Sequence, residues 1–86
     1  DVTAYILMDM SSSCNYVDVI DHAQINDQVL ECHSITGEGS HILKVRAQDT
    51  SSLEVLLREI QGWPGVIRTH TMIVMSTFKE ATRLEI

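Results

Sequence analysis

The chain of 86 residues is short of basic side chains, of cysteine and of long apolar runs, and each shortage closes off a class of function. Six Lys and Arg stand against twelve Asp and Glu, for a net charge of −6. Gripping a phosphate backbone rewards clustered Lys and Arg, so any contact with DNA belongs to another segment. The two cysteines, Cys14 and Cys32, lack CxxC spacing and offer no disulfide scaffold. No secretory apolar region and no membrane-length span is present, so no membrane association is expected and a reducing cytoplasm is the default compartment. The chain begins at Asp1 rather than Met, as a processed product or a fragment of something longer would. With no internal repeat, linker or low-complexity tract, residues 1–86 read as a single domain. At this size one core is only marginally self-sufficient, which makes a partner subunit an expectation.

Apolar side chains are plentiful where they count. Val2 to Met10 places Val2, Ala4, Ile6 and Met8 on one alternating set and Tyr5 and Leu7 on the other, the pattern of a strand buried on both faces. Ser11-Ser12-Ser13 breaks it with hydroxyls suited to capping. Cys14 to Gln24 then predicts a short amphipathic helix, with Val17, Ile20 and Ala23 at near-helical spacing and Asp18 near its positive end. Ser51-Ser52-Leu53-Glu54 reads as a capping box, and Leu53, Leu56, Leu57 and Ile60 follow at i, i+3, i+4 and i+7, the strongest helix signal in the chain. Gly62-Trp63-Pro64-Gly65 stops that helix, glycine suiting a left-handed cap and proline being unable to continue the ladder. Val66 to Phe78 reads as a long strand, and Thr82 to Ile86 as a short edge strand.

Two further strands, Val29 to Thr36 and His41 to Gln48, flank a polar turn with two glycines. Folding them about Glu38-Gly39 sets Thr36 opposite His41, Ile35 opposite Ile42 and Glu31 opposite Arg46. Leu30, Cys32 and Ser34 then share a face with Ala47, Val45 and Leu43, while Glu31 and His33 meet Arg46 and Lys44 on the other. One face is mostly apolar and the other mostly polar, which supports the hairpin.

The element order is βαββαβ, two split βαβ units with right-handed crossovers that return both helices to one side of an antiparallel sheet. This is an α+β, ferredoxin-like sandwich. Two helices cover one sheet face only, yet the first strand and the last (Met72 and Val74 against Ile73 and Met75) carry apolar residues on both. A homodimer or larger assembly, formed at least partly through the uncovered sheet face, is therefore expected.

Catalysis needs a convergent nucleophile, base and oxyanion donor, or a metal cluster, and no such set announces itself. His22, His33, His41 and His70 fall on a helix and three strand positions without metal-ligand spacing, as ordinary surface or interface histidines do. Cys14 and Cys32 read as small buried hydrophobes, and Met8, Met10, Met72 and Met75 as core or interface packing. Glu31 and Arg46 read as a solvated cross-strand ion pair rather than a catalytic dyad. Nothing calls for a cofactor. The turn is different, since Gly37 and Gly39 permit close backbone approach and the amides from Gly37 to Ser40 can converge on a small carboxylate. On spacing alone, an ordinary hairpin turn that needs glycine for its geometry explains it better.

The run Val29-Leu30-Glu31-Cys32-His33-Ser34-Ile35-Thr36-Gly37, then Leu43-Lys44-Val45, then Trp63-Pro64-Gly65-Val66-Ile67-Arg68-Thr69-His70-Thr71 resembles the effector-binding (RAM) domain of Lrp/AsnC, or feast/famine, transcriptional regulators. The resemblance covers nearly the whole chain. It implies a domain that dimerises through its sheets and assembles further as dimers of dimers or octamers. In such proteins a separate helix-turn-helix domain binds DNA, and a small amino acid binds where dimers meet. Carried over by position, the site comprises Thr36, Gly37, Glu38, Gly39 and Ser40 in the turn, with Thr69 and Thr71 on the last strand. Gly39-Ser40 departs from the aromatic residue and Asp that many members place there. An Asp carboxylate pairs with a ligand ammonium, whereas a Ser hydroxyl offers a neutral hydrogen bond about half as strong. A different effector, weak binding or none remain open, with Glu38 as a substitute ammonium partner. A small dimeric enzyme of monooxygenase type, which would need a pocket enclosed within one subunit, and a purely structural dimerisation module are the competing readings.

Overall fold

A computed structural model of the chain describes residues 1–11, 16–36 and 40–80. Its centre is strand β1 (Val2–Met10), whose bounds match the sequence expectation. Alternation sends Ala4, Ile6, Met8 and Met10 into the core, and leaves Thr3, Tyr5, Leu7 and Asp9 on the opposite face, where none is fully buried. Strand β3 (Ser40–Ala47) lies on one side of β1 and strand β4 (Val66–Ile73) on the other, and β2 (Val29–Ser34) forms the edge beyond β3. The order β2-β3-β1-β4, with every pairing antiparallel, is that of the ferredoxin-like sandwich.

Helix α2 (Thr50–Gln61) supplies the main cover for the sheet. It starts earlier than a cap at Ser51 would place it: Asp49 is the cap, its extended backbone letting the carboxylate accept from the Ser52 N–H at 2.8 Å. A carboxylate makes a charge-assisted bond at the positive end of the helix, an advantage that a hydroxyl lacks. Leu53, Leu56 and Ile60 are buried, and Leu57 packs against the core edge. At the other end Gly62 caps in the right-handed region, and the left-handed glycine is Gly65, with φ of 87°. That turn lets the Ser11 N–H donate to the Gly65 carbonyl at 2.8 Å, tying the end of β1 to the start of β4.

Helix α1 (Tyr16–Ile25) is seated differently from the expected stripe. Val19 and Ala23, an i, i+4 pair, are the buried residues, while Ile20 is exposed. Among the residues of α1 whose burial is described, the inward line runs through Val19 rather than Ile20. The His22 Nδ1–H donates to the Asp18 carbonyl at 2.6 Å, and the ring lies 5.5 Å from the indole of Trp63, tilted by 44°. Ser12, Ser13 and Cys14 lie outside the described residues.

The β2–β3 register also needs correction. Ser34 faces His41, Cys32 faces Leu43 and Glu31 faces Lys44, two residues from the expected alignment. Because the side-chain period is two, the slip preserves the faces: Cys32, Leu43 and Val45 stay on the core side. The expected Glu31–Arg46 pair is replaced. Glu31 meets Lys44 at 3.7 Å and His33 at 2.9 Å, while Arg46 faces Thr3 across β1. Strand β4 ends at Ile73 rather than Phe78, since Ile73 faces Ala4 and β1 offers little beyond it. The Val74 N–H still donates to the Thr3 carbonyl at 2.9 Å. The suggested strand Thr82 to Ile86 lies outside the described residues.

Candidate functional site

Four of the seven sequence-derived site residues lie among the described residues, Thr36 and Ser40 at the hairpin strands and Thr69 and Thr71 on β4. Thr36 is exposed just beyond β2, and Ser40 opens β3 opposite Asp9. Gly37, Glu38 and Gly39 lie outside the described residues. Thr69 faces Met8 and Thr71 faces Ile6, both core residues of β1, so the two threonines sit half-buried on the helix side of β4. The Thr69 hydroxyl oxygen accepts from the Gln61 Nε2 amide at 3.1 Å. Since β2 and β4 are opposite edges, three strand spacings, about 14 Å, separate Thr36 from the threonine pair. Within one chain Thr36 is thus kept apart from Thr69 and Thr71.

A feature that the sequence reading missed lies between α1 and the hairpin strands. A cleft of about 530 Å³ runs between α1 and β2, lined from the helix by Ile20, Ala23 and Gln24. Val29 and Leu30 form its strand wall, and Ser34 and His41 lie at its turn end. The ladder steps from Val29↔Val45 to Glu31↔Lys44, leaving Leu30 as an extra residue on the edge strand. Such a bulge re-aims a side chain. Ile20 and Leu30 are large aliphatics on an amphipathic helix and an edge strand, and periodicity alone places both on the core face.

The charges around this region are already engaged. The hydrogen bond from His33 holds the Glu31 carboxyl below its ordinary range, with Lys44 adding a smaller pull. Burial pushes the Cys32 thiol up, which keeps it protonated and slow to react. His41, expected at a surface or interface, is only 5% exposed. On the far side of the sheet, Asp9 accepts from Arg68 at 3.0 Å. Among the described residues no three His, Cys, Asp or Glu side chains form a group that could hold a metal ion, and no helix is long and apolar enough to cross a membrane.

The family model for the Lrp/AsnC ligand binding domain matches residues 3–84. The HTH-type transcriptional regulator FL11 of Pyrococcus abyssi is 34% identical over 83 residues, a match that spans 96% of this chain and 54% of the relative. Among solved structures, the feast or famine regulatory protein Rv3291c of M. tuberculosis, complexed with L-methionine, superposes with a TM-score of 0.78 at 27% identity, covering 96% of this chain and 56% of that one. The structure of FFRP-DM1 gives a TM-score of 0.79 at 29% identity, covering 87% of this chain and 100% of its own. The chain thus spans about half the length of the curated FL11 relatives that it matches. A cleft within one subunit is the feature that an enzyme reading would want, but these relatives are named as regulators. With its fold, its matched length and its identity to FL11 agreeing, the chain belongs to the Lrp/AsnC ligand-binding-domain family.

Proposed function

We propose that residues 1–86 form one regulatory domain that senses a small amino acid at a site shared between subunits and passes the signal on through assembly. The observation that carries this reading is the family match over residues 3–84, and the M. tuberculosis relative bound to L-methionine supplies the ligand class. The distance between Thr36 and Thr69 with Thr71 supports the inter-subunit arrangement, because a second copy can bring one edge's residues to the other's. The open sheet face, with Tyr5, Leu7, Ile42 and Met72 among charged neighbours, supports a homodimer built sheet to sheet and extended to dimers of dimers or an octamer. The domain carries no catalytic step and needs no cofactor in this reading. DNA is reached through a separate helix-turn-helix segment or partner, in keeping with the net charge of −6, and the work is done in the cytoplasm.

Calorimetry and thermal denaturation across the common L-amino acids test the sensing half. A true effector at a hundred times its Kd stabilises the folded state by about 2.7 kcal/mol. No heat and no shift with any amino acid would sink it. Light scattering tests the assembly half, where a monomeric mass at micromolar concentration is the failing result.

A further inference from the structure

Half of the chain's six basic residues meet at one place that the site described above does not use. Lys44, Arg46 and Lys79 line a second cleft, of about 570 Å³, on the open sheet face, a volume within the range of small-molecule pockets, about 300–1,000 Å³. Its floor is the start of β1, where Thr3 faces Arg46 and Tyr5 faces Lys44. Its wall is the stretch after β4, which begins where the Val74 N–H donates to the Thr3 carbonyl and runs through Thr77 and Phe78 to Glu80. Leu7, Ile42 and Met72, apolar side chains that support the sheet-to-sheet dimer, do not line it.

The positive charge here is in excess. Arg58 and Arg68 are paired with Glu54 and Asp9, and Lys44 is shared with Glu31 at 3.7 Å. Arg46 and Lys79 have no ion pair among the described residues, and Glu80 is the single carboxylate in the lining. An anion therefore gains in this cleft although the whole chain carries −6. Hydroxyls of Thr3, Tyr5, Ser76 and Thr77 add neutral donors. Together with the guanidinium and the ammonium groups they offer more donors than two carboxylate oxygens can accept, and three phosphate oxygens use them better. The exposed rings of Tyr5 and Phe78 add faces on which a flat heterocycle stacks. The volume suits one nucleotide, and a longer strand would carry its phosphates over a surface of net negative charge. We propose that this cleft binds a nucleoside monophosphate, its phosphate on Arg46 and Lys79 and its base against Tyr5 and Phe78. The site is separate from the amino-acid-sensing reading and does not rest on it.

Calorimetry on the whole chain, with light scattering to fix its mass, tests this with adenosine monophosphate, inorganic phosphate, adenosine and succinate. Adenosine monophosphate is expected to bind most tightly and to weaken as salt rises. Phosphate should bind more weakly, and adenosine and succinate should give no heat. Arg46→Ala and Lys79→Ala, both at exposed positions, are each expected to weaken adenosine monophosphate about tenfold, the scale of a lost charge-assisted hydrogen bond. Phe78→Ala should weaken it by about the same factor while leaving phosphate unchanged. Arg58→Ala removes an equal charge from α2 and should change neither ligand, which separates the cleft from net charge. No heat with adenosine monophosphate or phosphate, or a loss in Arg46→Ala no greater than in Arg58→Ala, overturns the site. Succinate as tight as phosphate overturns the ligand class, and adenosine as tight as its monophosphate overturns the role of the phosphate. Absent phosphate binding joined to a fall in mass in Arg46→Ala gives the cleft to carboxylates of a second copy and overturns the proposal too.

Discussion

Helix α2 lays Leu53, Leu56 and Ile60 against the sheet and is capped at both ends, whereas α1 buries Val19 and Ala23 and leaves Ile20 and Ile25 exposed. The strands divide in the same way. Strand β3 buries Leu43, Val45 and Ala47, while β2 has no fully buried residue and carries a bulge at Leu30. One half of the molecule is thus the densely packed frame, and the other, among the residues described, buries few side chains and carries the cleft between α1 and β2. Regions with few buried apolar contacts open locally at low cost.

The largest effect should come from truncating the frame. Leu56→Ala is expected to cost about 2–5 kcal/mol in denaturant unfolding, and Ile20→Ala less than about 1 kcal/mol because much of Ile20 is already in water. Equal losses would break the division between the halves. Hydrogen exchange sharpens it next: amides of β1 and β3 are expected to exchange only by global unfolding, and those of β2 through smaller openings. Uniform protection across the sheet would contradict the contrast.

A smaller effect is expected at the α2 cap. The Ser52 backbone N–H, with its hydroxyl adding to the pull, holds the Asp49 carboxyl below its ordinary value. A depressed folded pKa means that the cap contributes fully above the unfolded pKa near about 4 and is lost as pH falls through the folded value. Asp49→Asn should keep the cap and flatten that acid dependence, while Asp49→Ala should lower the thermal midpoint at neutral pH. An unaltered acid limb in Asp49→Asn would remove this explanation. Smallest of all, Arg58→Ala breaks an exposed i, i+4 pair with Glu54 at 2.7 Å and should change stability by no more than about 0.5 kcal/mol.

Legibility in the sequence follows the same division. The bounds of β1 were readable because its apolar residues alternate without a break, and the Leu53–Leu56–Ile60 stripe was readable because helical spacing was sustained over two turns. In the looser half several fillings compete for few contacts. Ile20 and Val19 differ by one helical position, and only packing against the sheet chooses between them. The hairpin could slip by two residues without moving any side chain to the wrong face, so patterning could not tell Lys44 from Arg46 as the partner of Glu31. The candidate site was the least legible part. Thr69 and Thr71 emerged from family likeness rather than spacing, and no local pattern shows that β4 lies at the opposite edge from Thr36. The cleft arises from α1 and β2 together, and neither segment read alone predicts it.

Trp63, the chain's only tryptophan, closes the frame where α2 gives way to β4, and His22 of α1 lies over its ring. Its emission therefore comes from a single indole wedged between the firmly held part of the molecule and the loosely held one. Lifting α1 away from the sheet would uncover that ring and shift its emission to the red, even while α2 and the sheet stay intact. The fold has built in an optical gauge of how α1 is seated, readable without a label.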